Sequence, residues 1–321
     1  MSADALFFQR HDDWEQRLEQ TFSDELWRKL NSHLTVSQRP WGDSCFSPSP
    51  ADLARASAQV REEGYLQTQP VIPEETTRGL AQAVRNLVDF GLHPIFLCAY
   101  DEYWRMLQGV ARALEPILGP NCYPLGDFWS WLISPENATK GWGPHRDAQF
   151  AGRKCLREDK SPLIVTAWLP LLDTDPLNGC MSVLPMNLDP NLPVNPGSNA
   201  FSNLQDVRAL PAKAGSILAW NQYLLHWGGR CSKWAPNPRI SSGIYFQSAD
   251  VEPYVERTIS FERDLPLRQR LLHASVSILN YHGDHNYPAA VVSMCKRHIQ
   301  ASPELHAQLP LYLQKALSPK P

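Results

Sequence analysis

The 321 residues are 43% hydrophobic and carry a formal net charge of −3, enough apolar material for a sizeable core and no basic excess for a nucleic-acid partner. The seven cysteines, at 45, 98, 122, 155, 180, 231 and 295, are odd in number and contain no C-x-x-C pair, which argues against a disulfide framework or a cysteine-built zinc site and suits reduced thiols in the cytoplasm. Acids within the first dozen residues speak against a signal peptide, and the longest apolar stretch, Pro162 to Leu172, is broken by Pro170 and too short to span a membrane.

In chain order, Trp14, Leu18, Phe22, Leu26 and Leu30 recur every four positions and predict an amphipathic helix within residues 4–35. Turn residues from Arg39 to Pro50 then make a linker, so residues 1–48 read as a helical N-terminal extension. A helix follows from Ala51 to Glu63, then a short strand from Tyr65 to Gln69 and a helix opened by Pro73-Glu74-Glu75. A third helix runs from Ala99 to Leu118 and ends at Gly119-Pro120. These helices are expected to brace the outside of a β domain.

From Tyr123 the texture changes to short aromatic and β-branched runs separated by Gly, Pro, Asn and Asp, the pattern of an all-β unit. Strands are predicted at Asp127–Ser134, Pro144–Ala148, Leu163–Leu169, Met181–Leu184, Ser216–Asn221 and Arg239–Gln247. Seven tryptophans fall between 129 and 234, and most are expected in the core. Trp129 and Trp131 share a strand face and are candidates for substrate contact. Residues 186–211, with Pro190, Pro193, Pro196 and Gly197, form a long irregular stretch that reads as a lid. After residue 250 the charged run Glu252, Glu256, Arg257, Glu262, Arg263, Asp264, Arg268 and Arg270 reads as solvated surface. Residues 261–321 read as a C-terminal helical extension.

Three H-x-D tripeptides occur, at His11, His145 and His282, and any one alone is more often a turn or a helix start. The first suits a helix cap. The third, in a polar cluster with Asp284 and His285, has no later strand to complete a site and reads as a capped turn. In the middle copy, strand pleating sends His145 and Asp147 to one face while Arg146 points away. Two histidines and one carboxylate leave three positions open on a ferrous ion, and His226 is the candidate for the missing ligand. Thirteen residues later Arg239 and Ser241 share a strand face. A guanidinium fork beside a hydroxyl suits the far carboxylate of a dicarboxylic acid.

At these residues the chain resembles the phytanoyl-CoA dioxygenase-like branch of the iron(II)- and 2-oxoglutarate-dependent oxygenases, over roughly residues 55–250. The matching features are Glu62-Glu63-Gly64-Tyr65, the His145/Asp147 pair, Asn178 to Pro185, Gly215-Ser216, His226 and Arg239-x-Ser241. Departures are Met186-Asn187-Leu188 after the Asn-Gly segment and Arg146 inside the triad. The resemblance implies an α+β, mainly β domain over 49–260: a double-stranded β-helix, the jelly-roll or cupin-like barrel, braced by helices. It implies Fe(II) on His145, Asp147 and His226, 2-oxoglutarate anchored by Arg239 and Ser241, dioxygen as oxidant, and a small-molecule substrate. Halogenases of this kind replace the carboxylate with a small residue, so Asp147 implies hydroxylation or another plain oxidation. Two rivals stand beside it: a zinc-dependent cupin-like enzyme, since zinc accepts the same ligands, and a barrel that binds a partner without turnover. A remote carboxylate anchor has no use in a zinc hydrolase. The basic residues Arg153, Lys154, Arg157 and Lys160 suit an anionic substrate or a solvated loop equally.

Overall fold

The computed structural model describes residues 13–42, 46–135, 141–147, 153–192, 198–200, 203–255, 257–281 and 287–302. The strands are β1 (Tyr65–Gln67), β2 (Tyr123–Ile133), β3 (Ile164–Pro170), β4 (Met181–Leu184), β5 (Arg208–Leu210), β6 (Leu218–Asn221), β7 (Leu225–Gly228) and β8 (Arg239–Gln247). They form two antiparallel sheets, β1-β6-β3-β8-β2 and β5-β4-β7. This is the two-sheet jelly-roll that the resemblance implies.

Alternation along β2 shows how the larger sheet works. Gly126, Phe128, Ser130 and Leu132 are buried while Asp127, Trp129 and Trp131 are only half-buried. The buried face carries Phe128 and Leu132 with Val165, Ala167, Ile240 and Ile244 into the main core, under the helices. The opposite face looks toward the smaller sheet, where Trp168, Trp220, Met181 and Val183 pack in a second cluster.

The helices are α1 (Trp14–Gln20), α2 (Asp24–Leu30), α3 (Pro50–Glu62), α4 (Glu74–Phe90), α5 (Asp101–Leu118), α6 (Leu267–Asn280) and α7 (Ala289–Gln300). Ser49 caps α3 by accepting from the Asp52 N–H, with Pro50 in the first turn where a missing donor costs nothing. Four predictions need correction. The single N-terminal helix is two, broken at Thr21-Phe22-Ser23, and Trp27 rather than Leu26 is fully buried. The hydroxyl of Ser23 caps α2, and Thr21 reaches across to His298, so local polar bonds override the four-residue stripe. Residues Pro94–Ala99 form a 3₁₀ turn ahead of α5, set by the ring of His93 accepting from the Ile95 N–H. The 186–211 stretch holds 3₁₀ turns at Met186–Leu188 and Leu204–Asp206, and β5 pairs with β4.

The fourth correction concerns the charged run after 250. Arg270 is wholly buried and Arg257 nearly so. Arg270 donates to Asp101 at 2.7 Å and to the carbonyls of Leu265, Ala99 and Ser37. Burial of that charge is compensated by a carboxylate and three carbonyls, and the bonds tie α6 to α5 and to the N-terminal region. Neither partner is visible in the local sequence. Among the tryptophans, Trp168 and Trp220 are buried, Trp129 and Trp131 line a cavity together with Trp142, and Trp234 is exposed.

Candidate metal centre

A cavity of about 460 Å³ opens between the two sheets, within the size range of small-molecule sites. His145, Asp147 and His226 converge at one end of it, their ligand atoms all within 4.8 Å of one another. The Nε2 atoms of His145 and His226 each stand 3.7 Å from Asp147 Oδ1. Two N or O ligands at about 2.1 Å from one ion can be no more than about 4.2 Å apart, so both histidines can share an ion with that oxygen.

β7 brings in His226, and a single antiparallel bridge pairs it with His145. The predicted strand Pro144–Ala148 is thus reduced to that bridge over 144–147, with Ala148 outside the described residues. β7 itself was absent from the predicted strands, being four residues in a polar and aromatic surrounding. The pair nevertheless meets, because the bridge supplies the closeness that a longer strand would have supplied.

Partners fix the free atoms. A carbonyl only accepts, so Nδ1–H of His145 donates to Gly143 O at 2.8 Å and Nδ1–H of His226 to Leu224 O at 3.0 Å. Both rings therefore turn an Nε2 lone pair toward the shared space. Asp147 uses its other oxygen, Oδ2, to accept from the Thr166 hydroxyl at 2.6 Å and the Trp220 N–H at 2.9 Å. Oδ1 is left for an ion. Burial opposes ionisation of Asp147, yet His226, the Thr166 bond and His145 together hold its carboxyl below the usual range. Burial keeps His226 below its ordinary value, hence neutral and able to ligate at neutral pH.

Arg239 and Ser241 lie on the same face of β8 and line the same cavity. Arg239 is pushed down to about 10 by burial, which leaves it cationic at neutral pH. It donates to the Gly179 and Gly229 carbonyls, while its Nε and the Ser241 hydroxyl are buried without a partner. Buried donors of this kind are costly unless a ligand satisfies them. Two glycines make room: a Cβ on Gly228 would meet Arg239 Nη1 at 2.9 Å, and Gly179, at φ +83°, has the Gly229 carbonyl 2.3 Å from where its Cβ would stand.

Arg146 does point away from the ligands. Its guanidinium is buried against Asp189 at 2.6 Å and also bonds the Ser198 and Tyr223 carbonyls. It straps part of the 186–200 segment to the metal strand. Arg157, offered above as a greeting for anions, is committed to Asp250 and to the carbonyls of Pro162 and Leu118. His11 and the cluster at His282 lie outside the described residues, while Asp13 stands at the N-cap of α1 with its side chain accepting from Arg17 Nε at 2.8 Å.

The family description "Phytanoyl-CoA dioxygenase (PhyH)" matches residues 72–232, half of the chain. The chain belongs to the phytanoyl-CoA dioxygenase family. It is a 2-oxoglutarate-dependent non-haem iron enzyme, using Fe(II), 2-oxoglutarate and dioxygen, and its donor set fits that use. Among solved structures, a non-heme monooxygenase, ThoJ in a nickel complex, matches with TM-score 0.51 and 14% identity, over 72% of this chain and 99% of that one. The alpha ketoglutarate dependent epimerase SnoN from nogalamycin biosynthesis matches with TM-score 0.49 and 21% identity, over 63% of this chain and 85% of that one. AviO1 from Streptomyces viridochromogenes Tue57 gives TM-score 0.47 and 16% identity, over 63% and 97%. At such identities the likeness to ThoJ concerns the fold alone. No functionally curated protein matches the sequence. No helix of the described residues is long and apolar enough to cross a membrane.

Three contributors were missed from the sequence. Thr166 and Trp220 stand 19 and 73 positions from the carboxylate they hold, and no local pattern joins them. Asp127 lines the cavity on the face of Trp129 and Trp131. An acid inside a strand, in step with two tryptophans, was a readable signal, because acids are depleted from strands.

Proposed function

We propose that this family member oxidises a C–H bond of a small molecule, most simply by hydroxylation, with His145, Asp147 and His226 holding Fe(II) and Arg239 with Ser241 holding the remote carboxylate of 2-oxoglutarate. The observation that carries this is the pairing of a free-faced His-Asp-His triad with an unsatisfied guanidinium Nε and hydroxyl in the same cavity. When bound, the metal and co-substrate supply the oxidising power: one dioxygen converts 2-oxoglutarate to succinate and CO2 and leaves one oxygen atom in the hydroxylated product.

The protein's own part is positional. Thr166 and Trp220 hold Asp147 so that only Oδ1 turns to the ion, and the two backbone carbonyls fix the imidazole tautomers. Arg239 supplies the fork, Ser241 one further donor, and Trp129 and Trp131 a wall for substrate. The Arg146–Asp189 strap supports a cover formed by part of 186–211, which would keep water from the reacting carbon. A zinc enzyme leaves Arg239 and Ser241 without a task, and a binding module leaves the triad without one. Cys98, Cys122, Cys155, Cys180 and Cys295 are free thiols, which suits a reducing cytoplasm.

Succinate release measured with Fe(II), 2-oxoglutarate and air is the test. Slow, substrate-independent release that needs all three is expected. Equal release without iron, or none in any condition while the metal is bound, would remove the oxygenase reading.

A further inference from the structure

The cavity that holds the triad also has an aromatic wall, and the chemistry of that wall differs from what the family name suggests. Trp129 and Trp131 lie stacked on β2, with centroids 5.3 Å apart and planes 17° from parallel. Trp142 meets Trp131 edge-on at 4.4 Å, and Tyr281 meets Trp129 edge-on at 5.1 Å. The register of β2 against β8 sets Trp131 opposite Ser241 and Trp129 opposite Gly243, so this wall continues directly from the co-substrate anchor. A Cβ at Gly243 would stand in ordinary contact with the Ala167 carbonyl at 3.9 Å and the Trp168 ring at 4.0 Å.

Asp127 completes the stripe two residues before Trp129. Its Oδ2 accepts from the Tyr281 hydroxyl at 3.0 Å, whereas its Oδ1 is buried without a hydrogen-bond partner. Burial, with Asp147 adding to it, holds the carboxyl above its usual range, while Arg257 and the Tyr281 bond draw it down. Every other charged group on the cavity wall has an assigned counterpart. Arg146 is neutralised by Asp189, and Arg239 and Asp147 are the residues that would hold the co-substrate and the metal. Among the described lining residues, Asp127 is the acid that keeps a buried oxygen without a hydrogen bond. Among the described lining residues the arginines are Arg146, paired with Asp189, and Arg239, placed beside Ser241.

We infer that the substrate is a flat ring compound bearing a protonated amine: its ring lies along the Trp129–Trp131 wall and its ammonium pairs with Asp127 among the surrounding aromatic rings. A carboxylate framed by aromatic rings is the arrangement that selects organic cations. The inference rests on the oxygenase reading only for the direction in which the substrate faces the metal. Asp127 is thus a specificity-determining residue, and binding of the amine does not itself require iron.

The test is calorimetric titration of three probes with one ring and three charges, namely tryptamine, indole-3-ethanol and indole-3-propionate. They are titrated into the metal-free protein and into the anaerobic Fe(II)–2-oxoglutarate complex. Tryptamine should bind about tenfold more tightly than the alcohol, with the propionate weakest. Asp127→Asn should erase the preference for the amine while keeping ring binding, and Trp131→Ala should weaken all three. Tyr281→Phe, which removes a neutral partner and leaves the charge, should retain the preference, so a folding defect in one variant does not decide the matter. Equal affinities, preference for the propionate, amine preference surviving in Asp127→Asn, or no binding by any probe at millimolar concentration would overturn the proposal. Amine-selective binding to a protein that shows no iron-dependent succinate release would retain this inference and remove the oxygenase reading; the reverse pair of results would do the opposite.

Discussion

The two ends of the cavity are built on opposite plans. At the metal end nearly every polar atom that does not face the ion is already committed: Nδ1 of each histidine to a carbonyl, Oδ2 of Asp147 to Thr166 and Trp220. At the far end the walls are aromatic and Asp127 keeps one oxygen unsatisfied. The first arrangement specifies one ion in one geometry. The second leaves a choice open for substrate. Pre-committed partners therefore mark where the chemistry is fixed, and an uncommitted group marks where selectivity resides.

Substitutions should separate the two ends. Asp147→Ala should have the largest effect, abolishing turnover and metal retention while ring binding at the tryptophan wall survives; metal analysis after gel filtration and probe titration check the two halves. Arg146→Met should cost about 3–5 kcal/mol of stability, since it leaves Asp189 buried and unpaired. Thermal unfolding reads that loss, and an unchanged midpoint would deny the strap. Arg239→Ala should raise the 2-oxoglutarate concentration needed by about a hundredfold, the cost of removing one partner of a buried charge pair, with iron still bound. Thr166→Val frees Oδ2 of Asp147 of one bond and should weaken metal affinity about tenfold, without altering selection at the aromatic end.

The smallest effect lies outside both ends. Burial pushes His298 down to about 4 and His273 down to about 3, each with an arginine adding to the shift. Their unfolded rings titrate near ~6.5. Between those values the unfolded chain binds a proton that the folded chain refuses, so stability is lost as pH falls below about 6.5. Each ring should contribute about 1 kcal/mol of loss between pH 6.5 and 5.5. Melting curves across that range should decline, and His298→Gln should flatten part of the decline.

Much of the metal end was legible because its signals are local. His145-x-Asp147 and Arg239-x-Ser241 are period-two patterns, and a strand face is a two-residue rule. His226 was named as the third ligand expected from a distant strand, although β7, the strand that carries it, was absent from the predicted strands. What escaped depends on contacts between distant segments. Arg270 looks like surface until Asp101, 169 residues earlier in the chain, appears beside it. Thr166 and Trp220 look like ordinary strand residues until Asp147 is set between the sheets. Trp129 and Trp131 were readable as candidates for substrate contact from their shared strand face, whereas Trp142 gave no such signal and lines the cavity through the packing of distant segments.

Anaerobic titration of Fe(II) into the protein with excess 2-oxoglutarate, followed by the weak visible charge-transfer absorption of the chelate, tests the central claim most directly. The band should grow to saturation at one iron per chain, vanish in Asp147→Ala and need far more 2-oxoglutarate in Arg239→Ala. A protein that binds iron without the band, or an Asp147→Ala variant that keeps it, would contradict the assignment of His145, Asp147 and His226 as the site of the reaction.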